Sequence, residues 1–199
     1  MSPRIILASA STTRKDMLTR AGVKFEVIPA KIDEDAIKAA LFAEGTKPRD
    51  IADALAEAKA RKISAKQPDA MVLGSDQILD LNGTILSKPE TPEDALTQLK
   101  SMRSNRHHLL SAAVIYEDVK PVWRHVGQVR LYMRDASDAW LADYVDRNWN
   151  SIRHSVGAYK LEEEGARLFT RIEGDHFNVL GMPLLEVLSY LTLRGILPS

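Results

Sequence analysis

Apolar and polar residues alternate along the first third of the chain in blocks that are typical of an α/β protein. Short continuous apolar runs predict buried strands, because a strand covered on both faces has no polar side. We predict strands over residues 4–9, 24–29 and 70–73. Apolar residues that recur every three or four positions predict helices with one buried face. We predict helices over residues 11–21, 33–44 and 49–65, the first ended by Gly22 and the last preceded by Pro48.

The rest of the chain combines hairpin signals with further helices. Asn82-Gly83 predicts a tight hairpin turn. Thr91, followed by Pro92, predicts the start of a helix that runs to about residue 102. Two β-rich stretches, 107–116 and 122–133, flank Lys120-Pro121 and predict an antiparallel pair that turns at this dipeptide. We also expect a helix capped by Asp135 or Ser137 and running to 145, a strand or loop over 166–172, and a helix over 183–194 closed by Gly195.

Composition narrows the possible functions. The apolar fraction of 45% can supply a sizeable core, and no repeat or linker interrupts the chain, so we predict a single domain over 1–199 with two interwoven lobes. The 27 acidic and 27 basic residues balance, which argues against a protein that coats nucleic acid. The absence of cysteine excludes disulfides and thiolate chemistry. No stretch reaches the roughly 18 apolar residues of a membrane helix, and we expect a cytoplasmic protein.

The segment LASASTTRKDML, residues 7–18, joins the first predicted strand to the first predicted helix. It gathers hydroxyl side chains and two adjacent cations, Arg14 and Lys15, where the first backbone N–H groups of a helix have no partner. Such a junction commonly holds phosphate. The simpler interpretation is a helix cap followed by two solvated charges. Both interpretations remain open from this segment alone.

Charged residues also follow other predicted strands. Glu34 follows the second strand, Asp76 the third, and Lys88 the hairpin. In open α/β sheets ligands bind beside the carboxyl ends of strands. Separate carboxylates can hold a hard divalent cation, and separate cations can neutralise phosphate oxygens. The pattern therefore indicates metal-assisted attack on a phosphoanhydride.

Each of these residues also has a simpler interpretation. The acids at 33–35 can complement the dipole of the following helix, and Lys88, before Pro89, can be an exposed turn residue. Lys59 can likewise lie on a solvated helix face. Asp76 is harder to explain in this way, because an acid beside a buried strand is costly unless it caps, pairs or binds. Walker and dinucleotide-binding motifs are absent from the sequence.

Taken together, the motifs resemble the Maf family of nucleoside triphosphate pyrophosphatases, historically called septum formation proteins. The ordered matches span nearly the whole chain. They are LASASTTRKDML, IDED at 32–35, LAEAKA at 55–60, GSDQ at 74–77, SKP at 87–89, the strand from His107, GAY at 157–159 and GDHFNVLGMP at 174–183.

This resemblance implies a two-lobed, Maf-like (ITPase-like) α/β fold with a central mixed sheet, flanking helices and a deep cleft. It implies cleavage of a small-molecule nucleoside triphosphate between the α and β phosphates, with the help of Mg²⁺ or Mn²⁺, by a protein that typically forms homodimers. By position, Asp76 matches the catalytic acid and lies close to the metal, and Glu34 matches a metal-associated carboxylate. The groups that match triphosphate ligands are Ser9, Ser11, Arg14, Lys59 and Lys88.

The resemblance also implies three specificity positions, which here carry Thr13, Gln77 and Glu162. Ser75-Asp76-Gln77 resembles the branch of 7-methyl-GTP pyrophosphatases, whereas members that act on dTTP and UTP usually have Thr after the acid. An amide presents both a donor and an acceptor to a base edge, and a carboxylate at 162 can face a guanine or the positive charge of N7 methylation. Thr13 departs from the aromatic residue common in that branch. The alternatives are a dTTP, UTP or pseudo-UTP enzyme, or a nucleotide-binding protein that acts in division arrest.

Overall fold

A mixed β-sheet organises residues 3–198, the part of the chain that the computed structural model describes. Its strands are β1 (Arg4–Leu7), β2 (Glu26–Val27), β3 (Ala70–Leu81), β4 (Thr84–Leu86), β5 (Arg106–Glu117), β6 (Lys120–Met133) and β7 (Phe169–Glu173). The hydrogen-bonded order is β2-β1-β3-β5-β6-β7, and β4 pairs with β3. The pairings of β1 with β2 and β3 are parallel, while β3–β4 and β6–β7 are antiparallel. The α/β class with a central mixed sheet, as predicted, is confirmed.

Helices connect these strands. They are α1 (Thr12–Arg20), α2 (Glu34–Ala43), α3 (Pro48–Ser64), α4 (Pro92–Met102), α5 (Asp138–Ile152), α6 (His176–Val179) and α7 (Leu184–Leu193). Two short 3₁₀ turns, Val156–Ala158 and Glu164–Leu168, precede β7. Between residues 3 and 198, every helix is too short or too polar to cross a membrane.

The chain divides into two compact units, each assembled from separate stretches of sequence. The first unit contains Met1–Gln77, Leu110–Gly127 and Asp175–Ser199, and the second contains Ile78–Leu109 and Gln128–Gly174. Strands β3, β5 and β6 therefore contribute residues to both units.

Parallel pairing of β1 with β3 builds the core of the first unit. Ile6 lies opposite Val72, and Leu7 lies opposite Leu73. Alternate residues of the two strands share one face of the sheet. Leu7 and Leu73 belong to the core cluster that also contains Met17 and Leu18 of α1 and Leu184, Val187 and Leu191 of α7.

Helix α3 approaches β3 unusually closely at Gly74. A Cβ atom at this position would lie 2.1 Å from the carbonyl oxygen of Ala56 and 2.9 Å from the Cβ of Ala60. Only glycine allows this contact, because any larger side chain would overlap the helix backbone. The contact sets the distance between α3 and the residues that follow Gly74 in β3.

A buried aromatic cluster anchors the second unit. The His107 ring nitrogen Nε2 lies 2.8 Å from the Tyr159 hydroxyl, and both rings contact Phe169. The Nδ1 atom of His107 is buried and has no hydrogen-bond partner in the described part of the chain. Burial lowers the pKa of His107 to about 4, and His108 contributes in the same direction. His107 is therefore neutral at physiological pH.

Several sequence predictions need correction. Strand β3 does not end at residue 73 but continues to Leu81, so Asp76 lies within the strand rather than after it. The β5–β6 turn is at Asp118-Val119, both with positive φ, rather than at Lys120-Pro121. Helix α2 buries none of its residues, although its spacing predicts an apolar face. Helix α5 continues to Ile152, well beyond residue 145.

Other local predictions are confirmed. Asn82 and Gly83 both adopt positive φ in the turn between β3 and β4. Thr91 caps α4, and its side chain accepts a hydrogen bond from the Asp94 amide. Ser137, one of the two predicted caps, accepts from the Trp140 amide at the start of α5.

The depressed pKa of His107 predicts a pH-dependent stability. As the pH falls from 6.5 towards about 4, the unfolded chain binds a proton at His107 that the folded chain does not. The free energy of unfolding should therefore fall by up to about 3 kcal/mol over this window, in addition to other titrations. Urea unfolding between pH 4 and 8 measures this fall. The His107→Gln variant should lack the part of the pH dependence that His107 contributes. The exposed His154→Gln variant is the control, and equal pH slopes in all three proteins would refute the assignment.

Candidate active site

The junction between β1 and α1 is a capped helix start whose hydroxyls are held in place. The amide of Ala8 continues the strand pairing by donating to the Leu73 carbonyl oxygen. Ser11 is the N-cap of α1, and its side chain accepts a hydrogen bond from the Arg14 amide at 3.3 Å. Ser9 is buried, and its hydroxyl oxygen accepts from the Ser11 amide. The other first-turn amides of α1, those of Thr12 and Thr13, have no intrahelical acceptor and can meet an anion.

The Arg14 guanidinium is held at two points. Its Nε donates to the carbonyl oxygen of Gly181 at 2.8 Å, and its Nη1 donates to the Ser9 hydroxyl at 3.3 Å. Burial lowers the pKa of Arg14, while the negative charges of Asp76 and Glu34 oppose this shift. The guanidinium keeps its charge, because this group deprotonates only far above physiological pH. It is therefore an oriented cation within electrostatic range of both carboxylates.

Lys59 pairs with both candidate carboxylates. Its Nζ lies 2.6 Å from Asp76 Oδ1 and 2.9 Å from Glu34 Oε1. Only 6% of Lys59 and 5% of Asp76 is exposed, whereas 44% of the Glu34 side chain is exposed. This arrangement follows from the close contact at Gly74, since Lys59 precedes Ala60 on α3 and Asp76 lies two residues beyond Gly74. Lys59 is thus a buried partner and not the solvated residue that helical spacing alone suggests.

The loop that carries Glu34 is tied to the same helix. Lys62 of α3 donates from Nζ to the carbonyl oxygen of Lys31. Asp33, the acid before Glu34, caps α2: its side chain accepts a hydrogen bond from the Ala36 amide. Glu34 itself is the first residue of α2, and its carboxylate pairs with Lys59.

Asp76 and Glu34 suit a hard divalent cation. Among residues 3–198, no group of three or more histidine and acidic side chains is arranged to hold a metal alone. Mg²⁺ commonly binds through one or two protein carboxylates and completes its shell with water and substrate phosphates. Two carboxylates around a lysine ammonium match that donor chemistry. They do not match a closed, all-protein metal site.

Hydrogen bonds within the fold hold the side-chain amide of Gln77 in place. Its Nε2 donates to the backbone oxygens of Asn178 and Val179 at 2.9 and 3.0 Å, and to the Ser111 hydroxyl at 3.0 Å. An amide nitrogen has two hydrogens, so three acceptors use its full donor capacity. The Gln77 amide donor that was expected to meet a base edge is therefore engaged within the fold. Its role in specificity remains a prediction.

The remaining predicted residues fall in two places. Thr13 is half-buried in the first turn of α1, beside Arg14. Lys88 and Glu162 belong to the second unit, where both are exposed and neither forms an ion pair with any residue of 3–198. Lys88 follows β4 and lines a pocket of about 600 Å³. The roles of all three stay predictions.

The turn before Glu164 is fixed even though Glu162 is exposed. Arg147 and Asn148 of α5 donate to Glu164, lowering its pKa to about 2. Ser151 and Lys160 donate to Glu163. These bonds fix the two residues that follow Glu162.

Sequence reasoning missed the part played by residues 175–181. They belong to the GDHFNVLGMP motif, but side-chain chemistry alone predicts no role for any residue in it. The Gly181 carbonyl oxygen accepts from both Arg14 and the Ser75 hydroxyl, at 2.8 and 3.2 Å. A backbone carbonyl leaves no mark in side-chain chemistry, and this partner lies 167 positions from Arg14. Gly181 adopts a φ of 106°, which favours glycine. The glycine at 181 is therefore the mark that this turn leaves in the sequence.

Comparison with known proteins identifies close relatives. Residues 4–193 match the family model described as Maf-like protein. A nucleoside triphosphate pyrophosphatase of Ruegeria sp. (strain TM1040) is 66% identical over 99% of both chains. One of the same description from Ruegeria pomeroyi is 64% identical over the full length of both. A 7-methyl-GTP pyrophosphatase of Rhizobium etli is 42% identical over 98% of both.

The buried Lys59–Asp76 pair predicts a specific pattern of stability. Lys59→Met leaves Asp76 buried without its nearest cation, so the free energy of unfolding should fall by about 3–5 kcal/mol. Adding Asp76→Asn should recover part of this loss, because the unpaired charge is then gone. Urea unfolding at neutral pH measures both. Lys66→Met, on an exposed lysine just beyond α3, is the control, and a Lys59→Met loss no larger than this control would contradict the pairing.

Proposed function

The chain belongs to the Maf-like protein family, and on that basis we propose that it is a nucleoside triphosphate pyrophosphatase. The proposed reaction hydrolyses the α–β phosphoanhydride and gives a nucleoside monophosphate and pyrophosphate. The observation that carries the proposal is the cluster of Lys59, Asp76 and Glu34 beside the oriented guanidinium of Arg14. The names of the relatives from Ruegeria support it.

In this proposal the positive groups bind the triphosphate. Arg14 has further N–H groups beyond those bound to Gly181 and Ser9. The first-turn amides of α1 add a second anion-binding element, and Ser9 and Ser11 hold that turn in place. Lys88, assigned by resemblance, is proposed as a further phosphate ligand.

Asp76 is proposed as the general base. A carboxylate oxygen accepts a proton from water while the water oxygen bonds to a phosphorus of the α–β bridge. The bond from that phosphorus to the bridging oxygen breaks, and pyrophosphate and nucleoside monophosphate separate. Lys59 holds the carboxylate in place through Oδ1 at 2.6 Å. A Mg²⁺ or Mn²⁺ ion held by Asp76 and Glu34 would neutralise phosphate charge.

We propose 7-methyl-GTP as the leading substrate. The Ser75-Asp76-Gln77 sequence and the relative from Rhizobium etli support this choice. Glu162, exposed and without an ion pair in the described chain, is a carboxylate that can meet the positively charged base. Activity on dTTP, UTP or pseudo-UTP is the alternative within the same chemistry.

A binding protein without catalysis, acting in division arrest, is the alternative of another class. Such a protein does not need both Glu34 and Asp76, whereas the enzyme does. The joint pairing of both carboxylates with Lys59 favours the enzyme. The cytoplasmic location, expected from the sequence, and the homodimer, implied by the family resemblance, remain proposals.

A panel of normal and modified nucleoside triphosphates tests the reaction. Purified protein with Mg²⁺ or Mn²⁺ should release pyrophosphate, fastest from 7-methyl-GTP. Asp76→Asn should lower kcat by roughly 10²–10⁴-fold, because a general base contributes about that factor. Asp69→Asn, an exposed acid just before β3, should keep full activity. No pyrophosphate from any substrate, or an Asp76→Asn variant with the full rate, would reject the proposal.

A further inference from the structure

Two polar side chains of the first unit converge on the end of helix α6. Gln77 donates from Nε2 to the carbonyl oxygens of Asn178 and Val179. Ser111, which has no exposed surface, donates to the Asn178 carbonyl oxygen at 2.6 Å and accepts from Gln77. Last-turn carbonyls of a helix have no intrahelical donor. Gln77 and Ser111 add side-chain donors to the carbonyl groups at the end of this four-residue helix.

The capped turn leads directly into Gly181. The Gly181 amide donates back to Phe177 and Asn178, so the turn closes on itself. A Cβ on Gly181 would lie 3.4 Å from Arg14 Nη2 and 3.7 Å from Gln77 Oε1. Gly181 therefore lies between Gln77, which caps the turn, and Arg14, which donates a hydrogen bond to the Gly181 carbonyl oxygen.

The Gly181 carbonyl determines where Arg14 points. An arginine side chain has several rotatable bonds, and ordering it costs conformational entropy. The 2.8 Å bond from Nε to Gly181, with the bond from Nη1 to Ser9, fixes the plane of the guanidinium before any anion arrives. A preoriented planar group binds phosphate oxygens at lower cost than a mobile one.

We infer that Gln77 and Ser111 are positioning residues that orient Arg14 for the triphosphate through the Asn178–Gly181 turn. This inference rests on the proposed function, because it assigns Arg14 to a phosphate group. It differs from the expectation that Gln77 reads the base. A residue that acts through Arg14 influences every nucleotide equally, whatever its base.

Ser111→Ala is the decisive variant, because a fully buried hydroxyl cannot touch a base. Inorganic tripolyphosphate is the matching probe, because it has no base. Calorimetry should show that Ser111→Ala and Gln77→Met each weaken tripolyphosphate binding by about three- to tenfold. The KM for purine and pyrimidine triphosphates should rise by one common factor, with a smaller change in kcat. In an Arg14→Ala background, neither change should add a further loss.

Controls separate this effect from a general loss of structure. Ser189→Ala removes a hydroxyl that, within residues 3–198, donates to the Leu185 carbonyl of the same helix, and it should leave binding unchanged. Thermal melting confirms that each variant is folded at the assay temperature. If either positioning variant unfolds, the other decides the question.

Other results would overturn the inference. These are normal tripolyphosphate binding in both variants, a KM change confined to one base, a full additional loss in the Arg14→Ala background, or no tripolyphosphate binding by the unmodified protein. A protein that binds tripolyphosphate but hydrolyses no nucleotide would reject the proposed function, and the binding data would still decide the positioning role. An active enzyme with unaffected variants would reject the positioning role alone.

Discussion

The contact between α3 and β3 at Gly74 is the constraint on which the rest of the site depends. Because Gly74 has no side chain, the backbone of the helix reaches the strand itself, with the Ala56 carbonyl oxygen 2.1 Å from where a Cβ would be. Lys59 is then placed beside Asp76, and both are buried. A buried ion pair persists only with a short distance and good geometry, since desolvation costs several kcal/mol for each ion. The electrostatics of the site are thus a consequence of backbone packing.

The opposite side of the site is organised by a backbone carbonyl. The Gly181 carbonyl oxygen accepts a hydrogen bond from Arg14 and so orients its guanidinium. Gly181 is itself held by a turn whose carbonyl groups accept hydrogen bonds from Gln77 and Ser111. Ser75, which immediately precedes Asp76, donates to the same Gly181 carbonyl. One short stretch of β3 therefore contacts both sides of the site. Gly74 packs against α3 and Asp76 pairs with Lys59. Ser75 and Gln77 donate hydrogen bonds to the Asn178–Gly181 turn. This explains why four consecutive residues of such different chemistry occur together.

Local signals were sufficient for much of the fold. Thr91 and Ser137 cap helices as their sequence context predicts, and Asn82-Gly83 forms its turn, because these preferences arise within a few residues. The length of β3 was not predictable in this way, since polar residues at 75–77 look like a loop until neighbouring strands pair with them. The turn at Asp118-Val119 carries no glycine, and its positive φ values are imposed by the paired strands. The pairing of Lys59 with Asp76, and of Arg14 with Gly181, depends on packing between distant segments.

Replacement of Gly74 by alanine tests whether the packing of α3 against β3 governs the site, because Gly74 itself has no proposed contact with substrate. The added Cβ must displace α3, so Gly74→Ala should lower kcat/KM for nucleoside triphosphates by at least about tenfold while the protein remains folded. Gly45→Ala is the matched control. A Cβ there meets nothing within 4 Å, so its positive φ of 75° gives a cost in stability without placing an atom between α3 and β3. If Gly74→Ala keeps the full kcat/KM, or loses no more than Gly45→Ala, then packing at Gly74 does not govern the geometry of the site.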